Sequence, residues 1–401
     1  MKIIYVTRWF SEGMGYIENC LPQAMASLGH EVHLITSTAQ VYYNLPFYDT
    51  VYKKYLGEAI QKPGIYKSQN VTIHRLPFIH IREHMMLKGM LFEINKIRPD
   101  VVHVFEHTAI DTYRLAILKL LLPFRFYTGN HAVHTVFPLA KNWKNESFLK
   151  KLRWRLFSKL PGKIIANLIE KCYAVTDDAG DIAVQFMGVP DDKVQVSTLG
   201  VNTDLYQPWP EDKKKLLRES LGFGEEDIVC IYTGRFTPEK NPLIVAEAIE
   251  TLSAKGHPFK GMFVGEGLQR DDIAQKSNCT VFDFIPFPEL PKYYQAADIA
   301  VWPAQESTSQ LDAVASGLNL ILTDKIKAYS TIETDNPKED RPKIVSRFYV
   351  HFDKEDLVRQ LLSLTNPEIR KKLSALGVEE IISKSSWYKI AERWSKDYSL
   401  K

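Results

Sequence analysis

The chain has 401 residues, of which 45% are hydrophobic and 25% charged, and its formal net charge is +3. This composition is typical of a soluble globular protein, and the length favours two domains of roughly 200 residues each. No apolar run approaches the roughly 20 residues needed to cross a bilayer, which argues against a membrane-spanning helix.

Short apolar runs alternate with helical periodicity, and this pattern predicts parallel sheets with helices on both faces. Arg8 interrupts the opening apolar run and no small-residue cleavage site follows, so the N-terminus is predicted to be a strand and not a signal peptide. Residues 38–90 have no clean period and are predicted to form loops and short helices on the acceptor side. The predicted strands of the first half are 3–7, 32–35, 101–105, 124–128 and 171–175.

The segment from Lys141 to Lys163 contains eight basic residues and one acidic residue, interleaved with apolar ones. Basic residues on an aromatic-rich amphipathic helix are typical of an element that lies on an anionic membrane surface. The alternative is a helix packed on its own domain with a solvated basic face. Nucleic acid is not expected as a partner, because no recognised nucleic-acid motif accompanies the charge. The leucines predicted to share one face are Leu149, Leu152, Leu156 and Leu160.

The second half begins near residue 194 and repeats the same strand-helix alternation. Near the C-terminus, Trp387, Ile390 and Trp394 lie on one face of a predicted amphipathic helix. The four cysteines are far apart, with neither metal-ligand nor disulfide spacing, which favours a reducing cytoplasm. The predicted strands here are 228–233, 261–264, 280–282, 299–302 and 318–323.

Residues 234–240 (GRFTPEK) place two cations between a predicted strand end and a predicted helix start. Asn241 is predicted to cap that helix, with Pro242 as its first residue. Anions bind at helix N-termini, and open α/β sheets bind ligands at the carboxyl ends of their strands. Arg235 and Lys240 are therefore candidates to hold a diphosphate, the alternative for each being a merely solvated cation.

Residues 306–312 (ESTSQLD) place carboxylates and hydroxyls on another strand-to-helix loop. Carboxylates accept hydrogen bonds from sugar hydroxyls, and cations bind phosphates. Together the two loops predict a nucleotide-sugar site, although either carboxylate taken alone is as well explained by a surface position.

The two loops, in this order, resemble those of the retaining glycosyltransferases of family 4, which have the GT-B architecture. Their second domain carries a G-R-x-x-x-x-K loop and, later, a pair of glutamates before A-x-A-x-G. The resemblance covers nearly the whole chain. Further segments that match the family in order are 2–15, 28–32, 98–103, 200–208, 264–267 and 296–298.

The resemblance implies an α/β GT-B fold: two Rossmann-like domains with a deep interdomain cleft and a C-terminal helix that crosses back to the first domain. The expected domains are residues 1–193 for the acceptor, 194–385 for the donor and 386–401 for the crossing helix. The family also has a histidine after a central first-domain strand. By position His131 is preferred over His134, with a role in hydrogen bonding to the donor sugar.

Glu306 corresponds to the first glutamate of the family and Asp312 to the second, so their implied partners are the donor sugar and the ribose. Five residues separate them here, two fewer than is usual, which leaves the contacts of this loop open. His103, Glu106 and His107 follow another strand and are candidates for the acceptor pocket. The expected catalytic residues are His131 and Glu306; the expected donor-binding residues are Gly13, Gly15, Arg235, Lys240, Gly265, Phe284, Ser307, Thr308, Ser309 and Asp312.

No Asp-x-Asp motif lies on a strand-end loop, and two cations can cover a diphosphate, so we expect no metal or other cofactor. The expected activity is metal-independent, retaining transfer of a hexosyl-type sugar from a nucleoside-diphosphate-sugar to a glycan or lipid-linked acceptor. We expect it in cell-surface polysaccharide or glycolipid synthesis, in the cytoplasm or at the inner membrane face. The alternatives are a GT-B nucleotide-sugar epimerase or phosphorylase, or a non-catalytic nucleotide-sugar or glycan-binding partner.

Overall fold

The computed structural model describes residues 1–81, 84–134, 137–304, 307, 309–324 and 346–400, the side chains of Pro138 and Lys141 excepted. The chain divides into two compact units. Unit 1 comprises Met1–Leu199 and Ile390–Lys401, and unit 2 comprises Gly200–Lys389. Among the described helices, none combines the length and apolar character needed to traverse a bilayer.

Unit 1 is built on an eight-stranded sheet that is parallel except at one edge. Its strands are β1 (Lys2–Val6), β2 (Glu31–Ser37), β3 (Gly64–Ser68), β4 (Val71–Leu76), β7 (Val101–Val104), β8 (Arg125–Asn130), β9 (Cys172–Ala174) and β10 (Val194–Val196), while β5 (Phe78–Ile81) and β6 (His84–Leu87) form a separate hairpin. The order across the sheet is β10-β9-β8-β7-β1-β2-β4-β3, with β3 antiparallel to β4. The chain runs outward from β1 in both directions, so the order reverses between β1 and β7, where such sheets open a ligand crevice.

Helices flank this sheet. They are α1 (Ile17–Ser27), α2 (Lys53–Leu56), α3 (Met90–Ile97), α4 (Ile110–Lys119), α5 (Pro138–Asn142), α6 (Phe148–Trp154), α7 (Leu160–Ala166) and α8 (Asp177–Gln185). The segment Arg155–Lys159 between α6 and α7 is a π-helical turn, as is Tyr48–Tyr52 before α2.

Unit 2 has a six-stranded, all-parallel sheet in the order β13-β12-β11-β14-β15-β16. Its strands are β11 (Ile228–Thr233), β12 (Phe259–Val264), β13 (Cys279–Phe282), β14 (Ile299–Trp302), β15 (Asn319–Thr323) and β16 (Ser346–Tyr349). Its helices are α9 (Glu211–Ser220), α10 (Leu243–Ala254), α11 (Arg270–Ala274), α12 (Pro291–Ala296), α13 (Ser309–Ala315), α14 (Lys354–Leu362) and α15 (Pro367–Lys384). Here the order reverses between β11 and β14.

The final helix, α16 (Trp387–Ser399), contributes residues from Ile390 onward to unit 1. Trp394 stacks on Tyr173 with ring centroids 3.9 Å apart and lies parallel to His103 at 5.0 Å. Tyr398 is fully buried and forms a 2.6 Å hydrogen bond with His103 Nδ1. From Ile390 onward, the predicted apolar face of this helix therefore packs in unit 1, whereas Trp387 belongs to unit 2.

The structure confirms the ten predicted strands to within two residues at each end. The prediction for residues 38–90 is right for the short helical segment Tyr48–Leu56 but misses four strands: β3 and β4 extend the main sheet, and β5 and β6 add a hairpin. β4 carries His74 and Arg75, which are buried with polar partners, so its hydrophobic signal is weak.

The predicted start of α10 is also wrong by one residue, since Pro242 is the N-cap. Asn241 instead has a φ of 48°, and its backbone N–H donates a hydrogen bond to Thr237 O at 2.8 Å. Asparagine tolerates this left-handed conformation better than most residues.

Candidate functional site

The strand-end loops of unit 2 gather most of the predicted donor-binding residues at one edge of the sheet. Because all six strands are parallel, every loop that leaves a carboxyl end lies on the same side. Glu306 and Thr308 lie outside the described residues. The gathered residues are Arg235 and Lys240 after β11, Gly265 after β12, Phe284 after β13, and Ser307, Ser309 and Asp312 after β14.

The loops after β11 and β12 are in direct backbone contact. Gly234 N donates to Val264 O at 3.0 Å, and Phe236 N donates to Glu266 O at 2.8 Å. A Cβ on Gly265 would lie 1.9 Å from Gly234 O, and one on Gly267 would lie 2.5 Å from Phe236 O. Both glycines also have φ angles near 150°, at 147° and 150°. Glycine is thus required at both positions, and the two loops form one rigid platform.

Arg235 and Lys240 are two neighbouring cations on this platform. Arg235 is exposed and Lys240 is half-buried. Desolvation, together with the nearby charge of Arg235, lowers the pKa of Lys240 to about 8. Within the described part of the chain, no carboxylate lies within ion-pair distance of either side chain. Two like charges held together in this way raise the energy of the free protein, and an anionic ligand would relieve the repulsion.

Asp312 lies in the first turns of α13 and is buried. Desolvation raises the pKa of its carboxyl well above the ordinary value. Among the described residues no basic side chain forms an ion pair with it. A buried carboxyl without such a partner is costly when charged, and hydroxyl groups of a ligand could supply hydrogen bonds to it.

Tyr294 connects the loop that carries Arg235 with the helix that carries Asp312. Its hydroxyl forms a 2.5 Å hydrogen bond with Thr233 Oγ1 at the end of β11 and a second one with Ser309. Tyr294 is fully buried, and the nearby charge of Asp312 adds to the desolvation that raises its pKa. The sequence analysis missed Tyr294, whose only signal is its place within an ordinary apolar helix.

Two further segments that resemble the family, 296–298 and 200–208, stabilise the fold of unit 2. Asp298, of the Ala-Ala-Asp segment, accepts hydrogen bonds from Lys214 Nζ and Val229 N, both at 2.9 Å, and pairs with Arg218. Val201 exchanges backbone hydrogen bonds with Ser385 and Trp387, which fixes the start of unit 2 beside its end. Neither motif supplies a side chain to the site.

In unit 1, His131 directly follows β8 and contacts Phe105 edge-to-face, with centroids 6.0 Å apart. Although the residue as a whole is exposed, desolvation lowers the pKa of the His131 imidazole to about 4, so the ring is neutral at physiological pH. Asn130 stabilises the turn around His131. Its Oδ1 accepts a hydrogen bond from Ala132 N, and its Nδ2 donates one to Ala179 O. The His134 imidazole instead contacts the Asp178 carboxylate, which also accepts a hydrogen bond from the His134 backbone N–H.

Gly13 and Gly15 lie in the loop between β1 and α1. Gly13 has a φ of 78°, and a Cβ there would meet no atom within 4 Å, so backbone conformation and not crowding favours glycine. This loop shares the carboxyl edge of the unit 1 sheet with His131.

Of the three residues proposed for the acceptor pocket, two are buried and one is accessible. His103 and His107 are buried, the first beneath α16 and the second between Thr128 and the carbonyl of Gly162, so their assignment to a pocket was wrong. Glu106 remains accessible and forms an ion pair with Arg8, which follows β1. The pair therefore lies where the strand order of unit 1 reverses.

Glu18 was also missed by the sequence analysis. Desolvation, with a smaller effect from the charge of Glu106, raises its pKa to about 7. Its position in the first turn of α1, shortly after the glycine loop, was the available signal.

Two family models match the chain: "Glycosyltransferase Family 4" over residues 21–205 and "Glycosyl transferases group 1" over residues 227–366. The D-inositol 3-phosphate glycosyltransferase of Thermobispora bispora is 23% identical over 207 residues, which cover 46% of each chain. The putative teichuronic acid biosynthesis glycosyltransferase TuaC of Bacillus subtilis is 30% identical over 132 residues, 32% of this chain and 33% of TuaC. The alignments thus span a third to under a half of these relatives' own length.

A solved structure of Anabaena HepE in complex with UDP-glucose superposes with a TM-score of 0.63 at 13% identity, covering 100% of this chain and 99% of HepE. At this identity the likeness establishes the fold alone, which is GT-B. Because the two family models between them match most of both units, the chain belongs to the group 1 glycosyl transferases, glycosyltransferase family 4.

Proposed function

We propose that this protein is a metal-independent, retaining glycosyltransferase. It transfers a sugar, of hexosyl type, from a nucleoside-diphosphate-sugar to a glycan or lipid-linked acceptor in cell-surface polysaccharide or glycolipid synthesis. The observation that carries the proposal is the pair of cations, Arg235 and Lys240, which have no carboxylate partner within the described residues and lie where the strand order of unit 2 reverses.

Glycosyl transfer needs stabilisation of the diphosphate as it leaves the sugar. When the bond between the anomeric carbon and the phosphate oxygen breaks, that oxygen retains the electron pair and negative charge develops on the diphosphate. Arg235 presents a planar fork of donors and Lys240 a compact charge, so together they can engage both phosphates without a divalent ion. Their pre-assembly on the rigid Gly234–Gly265 platform limits the reorganisation required during reaction.

Asp312 is proposed to bind the ribose hydroxyls, which would stabilise its buried charge by donating hydrogen bonds. Glu306 is proposed to bind the hydroxyls of the donor sugar. His131 is proposed to hydrogen-bond the same sugar through its ring or backbone, and not to act as a base. The acceptor hydroxyl attacks the anomeric carbon on the face from which the diphosphate departs, so the configuration at that carbon is retained. Its proton passes to the departing phosphate oxygen, which has kept the electron pair of the broken bond.

The comparisons support parts of this proposal by analogy. HepE, which shares the fold, was solved with UDP-glucose, and TuaC is named for teichuronic acid biosynthesis. We further propose a cytoplasmic location, peripheral on the inner membrane face, in keeping with four cysteines that form no disulfide.

A donor panel tests the activity. Purified protein is incubated in chelator with UDP-, GDP- and ADP-sugars, with and without cell-envelope lipid extract, and nucleoside diphosphate release is measured. Release that depends on the extract, with a product of the donor's anomeric configuration by NMR, is expected. Arg235→Ala should lower it strongly, whereas Lys255→Ala, at the other end of α10, should leave it unchanged. Hydrolysis or isomerisation of the donor without any acceptor would instead favour an epimerase, and a donor that binds but stays unchanged would favour a binding protein.

A further inference from the structure

The helical segment from α6 to α7 in unit 1 has an exposed apolar face. Six side chains on successive turns are between 39% and 75% exposed, an unusual state for large hydrophobic residues. We call this set the apolar ridge: Leu149, Leu152, Leu156, Phe157, Leu160 and Ile164.

The opposite face of the same segment is anchored to unit 1. Trp154 donates its indole N–H to Phe186 O at 2.8 Å, and Trp143 contacts the Phe186 ring edge-to-face at 5.2 Å. A Cβ on Gly162 would lie 2.0 Å from Met187 O, so the backbones touch there. Both tryptophans therefore face inward, and the leucines face outward.

Basic side chains flank the ridge. Arg153, Arg155 and Lys163 are exposed, and in the described part of the chain none of the three forms an ion pair with a carboxylate. Lys150 pairs with Glu146, and Lys151 bonds Lys144 O. The ridge is thus bordered by net positive charge.

The C-terminal end of α4 and the turn that follows it carry a second group of exposed apolar residues: Ile117, Leu120 and Leu121. This helix packs against α7, and both contribute to the same buried cluster through Leu115 and Ile165. Two neighbouring helices of unit 1 thus present large apolar side chains to solvent, which marks an interaction surface.

We propose that the apolar ridge inserts into an anionic lipid surface, with the flanking arginines and lysines at the level of the headgroups. Leucines bordered by basic residues match the two layers of such a surface, acyl chains below and anionic headgroups above. A second copy of this chain that docked through the same face would bring a second basic border against the first, which disfavours that occupant. This membrane proposal rests on the proposed function in one respect only: a lipid-linked acceptor would explain why the protein binds a lipid surface.

Vesicle co-sedimentation tests the proposal. Wild-type protein should bind vesicles that contain phosphatidylglycerol, and bind phosphatidylcholine alone far more weakly. Leu152→Ser with Leu156→Ser and Leu160→Ser should weaken binding about tenfold or more by removing inserted carbons. Reversing Lys150, Lys151, Arg153 and Arg155 to glutamate should weaken it by at least about a hundredfold, because each basic residue near such a surface contributes about fivefold.

Matched controls lie in unit 2. Leu216→Ser with Leu268→Ser changes two exposed leucines, and Lys213, Lys255, Lys371 and Lys372 changed to glutamate gives the same charge change; neither variant should alter vesicle binding. All variants should keep wild-type thermal unfolding and UDP binding, which separates this test from that of the proposed function. Trp154→Phe should bind vesicles as the wild type does.

Three outcomes would overturn the proposal. The first is equal binding to neutral and anionic vesicles, and the second is no binding to either. The third is a dimer in sedimentation velocity that the triple leucine variant dissociates, which would assign the ridge to a second copy of the chain.

Discussion

The lowered pKa of Lys240 predicts that nucleoside diphosphate affinity falls as pH rises through about 8. In the free protein, desolvation and the charge of Arg235 disfavour the protonated amine. A bound diphosphate reverses this preference and raises the pKa, so the complex binds the proton more tightly than the free protein. Linkage then requires full affinity below pH 8 and a progressive loss above it.

The size of the effect follows from the pKa itself. With a pKa of about 8, Lys240 is about 90% protonated at pH 7 and about 10% protonated at pH 9. Affinity should therefore fall about tenfold between these values, or about 1.4 kcal/mol. Lys240→Arg should abolish the pH dependence, because arginine stays charged throughout this range.

Isothermal titration calorimetry with the nucleoside diphosphate selected by the donor panel measures both quantities. At pH 8, comparison of two buffers with different ionisation enthalpies should show uptake of about half a proton per site. Lys255→Ala is the matched control and should keep the wild-type slope. Constant affinity in the wild type, or the same slope in Lys240→Arg, would refute the assignment of Lys240 to the diphosphate.

Four further outcomes are expected. At pH 7, Asp312→Asn should stabilise the nucleotide-free protein in chemical denaturation, because it removes the cost of charging a buried carboxyl. Below about pH 4 this stabilisation should disappear, since the carboxyl is then protonated in the folded and the unfolded state alike. The same variant should weaken nucleotide binding. Gly265→Ala should cost more than about 3 kcal/mol of unfolding free energy, and Gly256→Ala, which is uncrowded, about 1 kcal/mol. His131→Ala and Glu306→Ala should lower turnover and leave nucleoside diphosphate affinity nearly intact in calorimetry. In chelator, nucleoside diphosphate at about 100 times its Kd should add about 2.7 kcal/mol of stability in thermal-shift assays; a shift that requires magnesium would contradict metal independence.

The sheets were predictable because parallel strands buried on both faces appear as short, continuous apolar runs such as residues 228–233. The edge of the unit 1 sheet was not predictable in the same way. There β4 buries Arg75, which is satisfied by Phe10 O at 3.1 Å and Tyr66 at 3.0 Å, and such partners are visible only after folding.

The candidate site was likewise predictable from the sequence only in part. Loops that follow strands could be located from the sequence, since topology brings their residues to one edge. The bond from Tyr294 to Thr233 could not, because it joins residues 61 apart through packing. Orientation was equally hidden in the segment from α6 to α7, where the pattern showed an amphipathic helix but not that Trp154 faces inward and Leu156 outward.

The contact between Gly234 and Gly265 has a consequence for how donor preference can change. A side chain at Gly265 or Gly267 would force apart two backbones, so these positions are closed to substitution whatever the donor. Phe284, by contrast, follows β13 at the same edge of the sheet and takes no part in the backbone hydrogen bonds that join the two loops. Mutational libraries that keep these glycines, Arg235 and Lys240 and randomise neighbouring side chains such as Phe284 should therefore retain folded members, and new sugar or base preferences should be sought there.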